Sequence, residues 1–372
     1  MKLLFTAGGG QAAVFGAAPL ATAARNAGHD ILLALDEPLL ATAEAIGIPA
    51  VSISTELLRY GHELGAASAR LEAMADLAQA WSPDVVVGGL SYVPGLLATR
   101  LKVPYVRQAW VPTTDMPARA ARDLRLELER LGMTGLPDPD LFIDVCPPSL
   151  RPASAAGGQP MRWVPRNRQR RLEPWMYTPP SGRQRVLITS GTRTLVLGIP
   201  GRSIRRLLDQ LALAGAEVLI AAPEGAAEKL GIELGDVHVG WIPLDVVAPT
   251  CDLVVHHGGA TTATTVMNAG VPHLIMPDNG YGAAVARAVA GSGAALVVTP
   301  PGQGPGADSD SGQDPTADSA SDADPAEAIA AGCREILGTP PYTERARALA
   351  QEIAGLPVPA EVVRMVETLA AR

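Results

Sequence analysis

Residues 240–277 read GWIPLDVVAPTCDLVVHHGGATTATTVMNAGVPHLIMP, and this stretch decides the fold. The stretch 252–255, apolar after Asp252, predicts a buried strand, His256-His257-Gly258-Gly259 a turn, and the Thr- and Ala-rich residues beyond it a helix. The first turn of a helix has amide hydrogens with no carbonyl partner inside the helix. Together with the helix dipole these favour an anion such as a diphosphate. His257 can add a donor, and Gly258 and Gly259 let the backbone come close. Upstream, Trp241 with Ile242-Pro243 offers a flat indole and a loop backbone that suit a nucleobase. A base platform followed by a diphosphate cradle outlines a nucleotide-sugar site.

Outward from this stretch, short apolar β runs alternate with Ala-rich helical segments in both directions. Strands are predicted at 2–6, 31–35, 85–87 and 105–108, then at 186–190, 218–221, 237–239, 252–255, 273–276 and 294–298. Continuous apolar character with helices between predicts parallel strands buried on both faces, an α/β class. The pattern restarts near residue 184, after a stretch rich in Pro, Arg and Trp. The expected organisation is therefore a doubly wound domain over 1–165, a linker over 166–183 and a second doubly wound domain over 184–356. The two would face each other across a cleft, with a last helix in 357–372 crossing back to the first domain.

Residues 301–325 carry six Asp and no Lys or Arg. With nothing apolar to bury they read as a disordered acidic loop. Asp308-Ser309-Asp310 and Asp322-Ala323-Asp324 match a D-x-D metal pattern, but low complexity explains them, and no metal site is expected. Cys146, Cys251 and Cys333 are too few and scattered for a disulfide framework or a zinc site, which points to a reducing, cytoplasmic location. At 372 residues and 47% hydrophobic, with a mean hydropathy of +0.16, the chain has room for two full cores and is not of the disordered class. Its net charge of −8 argues against a nucleic-acid partner. The N-terminus resembles a signal peptide, but a glycine triplet breaks its apolar run, so a first strand and helix are expected. No stretch is long and apolar enough to span a membrane.

A second glycine signal competes with the first. Gly8-Gly9-Gly10, Ala13 and Asp36 satisfy G-x-G-x-x-G/A with an acid at the Rossmann distance, which alone suggests an NAD-dependent oxidoreductase. A dehydrogenase has no need of a phosphate cradle behind Trp241, whereas a two-domain transferase needs an acceptor lobe and a donor lobe.

The G-W-x-P…H-G-G…G-V-P…P series resembles the inverting, metal-independent GT-B glycosyltransferases of natural-product pathways. RQAW (107–110), LFIDVCPPSLRP (141–152), LEPWMYT (172–178), VLITSGTR (186–193) and GWIPLDVVAPTCDLVVHH (240–257) are similar to actinomycete deoxysugar transferases. The nearest wording is that of the aromatic polyketide (angucycline) olivosyltransferases of the urdamycin and landomycin type. The resemblance implies a dTDP-deoxysugar donor, no cofactor and an aromatic polyketide acceptor, with a homodimer or a partner glycosyltransferase both open. It implies that Trp241 stacks on thymine while the Ile242 backbone bonds the base. It also implies that Ser190, Gly191 and Thr192 hold the nucleotide, and that His257, Gly258, Gly259, Thr261 and Thr262 cradle the diphosphate. Preorganised donors on the growing charge of that leaving group can stand in for a metal. His256 points the other way along the strand end and reads as structural. The acceptor would meet Gly9, Gly10, Gln11, Ser91, Tyr92, Gln108, Trp110 and Val111.

Three positions depart from the family pattern. The general-base His of the first loop falls at about Ala13. The Asp that follows Q-x-W in C-glycosyltransferases is Val111. The acidic-Gln pair that grips sugar hydroxyls aligns on Tyr281-Gly282, where fewer hydrogen bonds and more apolar surface suit a 2,6-dideoxy sugar of the D-olivose type. The candidate base is then Asp115, with His62 second, because an Asp desolvated beside a polyketide can act near neutral pH. The expected function is dideoxyhexose transfer forming an O- or C-glycoside. The alternative from another class is a glycosyltransferase-like partner that has lost catalysis.

Overall fold

The computed structural model describes residues 1–57, 66–110, 116–151, 157–168, 170–191, 199, 201–223, 225–226, 237–299 and 324–371. Contacts divide the chain into two compact units, Met1–Gln169 with Gly355–Arg372, and Arg170–Ala354.

The first unit holds seven strands: β1 (Lys2–Ala7), β2 (Asp30–Asp36), β3 (Ala50–Ser54), β4 (Val85–Gly88), β5 (Tyr105–Ala109), β6 (Leu141–Asp144) and β7 (Gln159–Pro160). They lie in the order β3-β2-β1-β4-β5-β6-β7, and every pairing is parallel. Strands β3, β6 and β7 were not expected from the sequence. β3 is half-buried along its whole length at the sheet edge, so it lacks the continuous apolar run of the central strands. β6 ends in Asp144, and β7 is two residues long. Leu4, Ala34 and Val86 from three neighbouring strands pack against Leu71, Met74, Leu96 and Leu97 from the covering helices, and against Leu124. The helix Gln11–Asn26 buries Val14, Phe15, Leu20 and Ala24 and lies against the helix Pro359–Ala370, whose Val362, Val363 and Val366 are buried. His29 Nε2 reaches Glu367 Oε1 on that last helix at 2.7 Å, so its role extends beyond the turn that opens β2.

In the second unit β8 (Arg185–Thr189), β9 (Glu217–Ala221), β10 (His238–Gly240), β11 (Leu253–His256), β12 (His273–Ile275) and β13 (Ala295–Val297) form a sheet of order β10-β9-β8-β11-β12-β13, again wholly parallel. Alternate side chains go to opposite faces, as the two-residue period of a strand demands. Val186, Ile188, Val218, Ile220, Leu253 and Val255 pack on one side with Ile204, Leu207, Ile329 and Ile336. Leu187, Leu219 and Val254 pack on the other with Met176, Ile242, Val247 and Val266. Cys251 joins that second face, and burial pushes its thiol up to about 12, so it is an inert core thiol. The stretch expected to be a loop through residue 325 ends earlier. Asp324 is the N-cap of the helix Pro325–Gly338, accepting the Ala326 amide at 3.0 Å and Arg206 Nη1 at 3.2 Å. A carboxylate satisfies an orphan amide and the helix dipole at that position, which explains this Asp without a metal. Residues 301–323 lie outside those described.

Asp36, at the end of β2, is 1% exposed. Arg70 Nε and Nη2 donate to its Oδ1 at 3.1 and 2.8 Å, and the same Nη2 donates to the Glu56 carbonyl. Removing one partner of such a pair leaves a buried charge uncompensated. Arg70→Ala is therefore expected to destabilise the first unit by about 3–5 kcal/mol in urea unfolding, and a loss below 1 kcal/mol would show the pair to be solvated.

Candidate active site

Each sheet reverses its strand order at one place, between β1 and β4 in the first unit and between β8 and β11 in the second. Loops leaving the carboxyl ends of the strands on either side of such a switch point diverge and leave a crevice for ligand. In the second unit the two loops are Ser190-Gly191, after β8, and His257-Gly258-Gly259, after β11.

His256 closes β11 and is fully buried. The Gly258 amide donates to its Nδ1 at 3.1 Å, and its Nε2 lies 2.9 Å from His273 Nδ1 in β12. An amide hydrogen only donates, so His256 Nδ1 carries the lone pair and its proton is on Nε2, which donates onward to His273. Burial lowers the pKa of both rings, His273 to about 3 and His256 well below its ordinary value, with His273 and His257 adding to the effect on His256. Both are neutral imidazoles.

His257 is 8% exposed, and the neighbouring glycines locate its ring. A Cβ on Gly259 would stand 2.5 Å from His257 Nε2, and one on Gly191 would stand 3.1 Å from Cε1. The imidazole therefore lies against the backbone of both switch-point loops. Gly259 has ordinary backbone angles (φ −61°, ψ 131°), so its need for glycine is wholly steric. Gly258 differs: its φ is +87°, and a Cβ there would meet the Gly282 carbonyl at 2.7 Å. Its amide is already committed to His256. Gly258 therefore contributes backbone shape to the turn rather than an N–H for an anion.

The helix Ala260–Ala269 starts at this turn, its first internal bond running from Ala263 N–H to the Gly259 carbonyl. Thr264 and Thr265 turn their hydroxyls back to Ala260 and Thr261 carbonyls at 2.8 Å. Thr261 is half-buried and Thr262 buried at the helix start. Trp241 follows β10 and is half-buried, and its carbonyl accepts from Arg170 Nη1. The Ile242 side chain sits in the core, which leaves only its backbone for a ligand.

After β12 the helix Gly280–Gly291 is capped by Asn279, whose Oδ1 accepts the Gly282 amide at 2.8 Å, while Asn279 Nδ2 donates to Asp278 Oδ1 at 2.7 Å. A Cβ at Gly282 would lie 2.9 Å from the His257 carbonyl. Glycine at 282 thus has a packing reason of its own, which sequence comparison could not show. Tyr281 is half-buried beside it.

In the first unit the loops after β1, β4 and β5 carry the expected acceptor residues. Gly9 and Gly10 have φ of +83° and +146° and lead into the helix Gln11–Asn26. Gln108 Nε2 donates to the Gly16 carbonyl of that helix at 2.7 Å. Tyr92 is buried beneath the Arg107 guanidinium, 3.9 Å from its ring centre, Ser91 Oγ accepts the Val93 amide, and Trp110 is 3% exposed. Several of these side chains are therefore anchors of the loops. His62, Val111, Asp115 and Thr192 lie outside the described residues. The Asp36 carboxylate, which a dinucleotide ribose would need, is held by Arg70. Among the described residues no His/Cys/Asp/Glu cluster could hold a metal, and no helix is long and apolar enough to cross a membrane.

Two parallel doubly wound sheets, each with a glycine-rich switch point, are the architecture of the GT-B fold. Models of the erythromycin biosynthesis protein CIII-like N-terminal and C-terminal domains match residues 58–191 and 205–369. The L-demethylnoviosyl transferase of Streptomyces niveus is 32% identical, over 97% of this chain and 96% of its own. The crystal structure of the Streptomyces sp. SF2575 glycosyltransferase SsfS6 with thymidine diphosphate is 28% identical, covering 99% of each chain at a TM-score of 0.78. The spinosyn rhamnosyltransferase SpnG with thymidine diphosphate is 26% identical, covering 99% of this chain and 100% of that one, at 0.82. The chain belongs to the CIII-like family and is a glycosyltransferase with the GT-B fold.

Gly259→Ala changes no backbone preference and meets only the end of the His257 ring. It is expected to leave thermal stability nearly unchanged and to weaken nucleotide binding about tenfold, the loss of one charge-assisted hydrogen bond, by calorimetry. Unchanged affinity would remove His257 from the site. The two buried imidazoles also set an acid dependence. Their folded pKa values lie below the unfolded 6.5, so the unfolded state binds more protons below that pH, and stability falls on acidification. The pair should lose about 2–3 kcal/mol between pH 7 and 5.5, read by urea unfolding, and His256→Phe/His273→Leu should flatten that slope.

Proposed function

We propose that the second unit binds a dTDP-deoxyhexose and that the protein transfers the sugar to a polyketide-derived acceptor with inversion. The observation that carries this reading is the His257 ring lying against Gly191 and Gly259 at the β8/β11 switch point. A donor there faces the leaving diphosphate together with the first turn of the helix Ala260–Ala269. The thymidine diphosphate in SsfS6 and SpnG, and the sugar classes in the relatives' names, support the donor assignment.

In this reading the Trp241 indole stacks on thymine and the Ile242 backbone bonds its edge. Ser190, Gly191 and Thr192 hold the nucleotide from the opposite loop, and His257, Thr261 and Thr262 meet the phosphoryl oxygens. As the bond to the anomeric carbon breaks, negative charge grows on the β-phosphate. Preorganised donors at a helix N-terminus stabilise that charge more than the ground state, which lowers the barrier without a divalent ion. The first unit presents an aromatic polyketide along the loops after β1, β4 and β5, with Asp115, or His62, taking the proton of its nucleophile. Tyr281 offers apolar surface to the 6-methyl group of a D-olivose-type sugar, and the bond formed is an O- or C-glycoside.

Incubation with a dTDP-2,6-dideoxyhexose and an aromatic polyketide aglycone, with EDTA present, should yield a glycoside of inverted anomeric configuration by NMR. Trp241→Ala should raise donor KM about tenfold, the worth of one stacked base. Asp115→Asn should lower kcat by about 10²–10⁴. Turnover with a UDP-sugar and none with any dTDP-sugar would overturn the donor assignment. Unchanged kcat in Asp115→Asn would overturn the base.

A further inference from the structure

We infer that His273 and His256 are positioning residues for donor binding, a neutral two-imidazole relay that fixes the peptide between His257 and Gly258. The inference rests on the donor reading of His257, and its geometry is independent of that reading.

The register of β11 and β12 pairs Val254 with His273. His256, two residues further along β11, therefore lies on the same face as His273 and diagonal to it. This face otherwise packs Val254, Val266 and Val271, so an aliphatic side chain is what the position at 273 would ordinarily take. A histidine there leaves its Nε2 buried and without a hydrogen-bond partner among the described residues, at a cost that leucine would not incur. What the histidine provides is an acceptor, Nδ1, for the Nε2–H of His256 at 2.9 Å.

That acceptor decides a tautomer. With the His256 proton drawn to Nε2, its Nδ1 is bare and takes the Gly258 amide at 3.1 Å. The amide points inward, so the carbonyl of the same peptide, that of His257, points toward Gly282, where a Cβ would come within 2.9 Å of it. The peptide is bonded through its amide and packed against Gly282 through its carbonyl, with Gly258 at φ +87°. The direction in which the His257 side chain leaves the turn follows from that plane. Without the acceptor at 273, His256 can move its proton to Nδ1, which sets two hydrogens against each other at Gly258 and frees the turn to rotate.

The test compares two isosteric variants. Asn places Oδ1 where His has Nδ1, whereas Leu places a methyl there. His273→Leu is expected to weaken dTDP binding about tenfold and raise donor KM, with acceptor KM unchanged. His273→Asn should bind dTDP within about twofold of the parent. Long-range ¹H–¹⁵N correlation in the parent should show His256 protonated on Nε2 and unprotonated on Nδ1, and in His273→Leu a shift toward Nδ1–H. Thermal melts of both variants check folding. Equal dTDP affinity in the Leu and Asn variants, or Nδ1–H in the parent, overturns the relay. If the parent itself does not bind dTDP, the donor reading fails and the positioning role fails with it, while the tautomers still report whether the hydrogen-bonded pair exists.

Discussion

In a parallel sheet covered on both faces, all strands deliver their carboxyl ends to one edge, and polar side chains meet solvent or ligand at the strand ends rather than on the faces. That constraint governs both units. In the second, alternate residues of β8, β9 and β11 are consumed by two apolar layers, one on each face. Chemistry is displaced to the loops at the switch point, where His257, Gly191 and Gly259 meet. In the first unit the same rule gathers Gly9, Gly10, Ser91, Tyr92 and Gln108 at one edge. Polar residues at the opposite edge serve the fold: the fully buried Arg185, at the start of β8, is bonded to Glu217, Thr250 and the Trp175 carbonyl.

The turn after β11 is built from neutral groups. A buried charge without a partner is costly, so a turn at a buried strand end is better built from dipoles than from ions. The helix start, the neutral His256–His273 pair and the glycine turn meet that requirement. Their hydrogen bonds run inward, from the Gly258 amide to His256 and from His256 to His273, and hold the turn in one shape.

How much of this was legible in the chain differs by level. The central strands were readable because both of their faces are apolar, which leaves runs such as 218–221 and 253–255 without polar interruption. β3 and β7 were not, since they are edge strands, one half-buried and the other two residues long, and β6 was not because its short apolar run ends in Asp144. The glycines at 191, 258 and 259 were visible as a motif, but not the separate reason for each. Gly259 makes room for a ring, whereas Gly258 adopts a left-handed turn against Gly282. His273 carried a faint signal, a polar residue inside an apolar strand, but its partner is set by sheet register, which lies outside local sequence. Asp36 matched a dinucleotide fingerprint because the spacing between strand ends is shared by all doubly wound folds; only the position of Arg70 shows the carboxylate to be engaged.

The close approach of Gly258 and Gly282 has a consequence for altering donor preference. Their backbones are near enough that a side chain gained at 282 must be matched by a displaced turn at 256–259. Grafting a two-residue sugar-gripping pair from a relative onto 281–282 would therefore wedge that turn apart. Residues 256–259, 273 and 278–282 behave as one cassette, and a chimera that exchanges them together respects the contact that a piecemeal exchange would break.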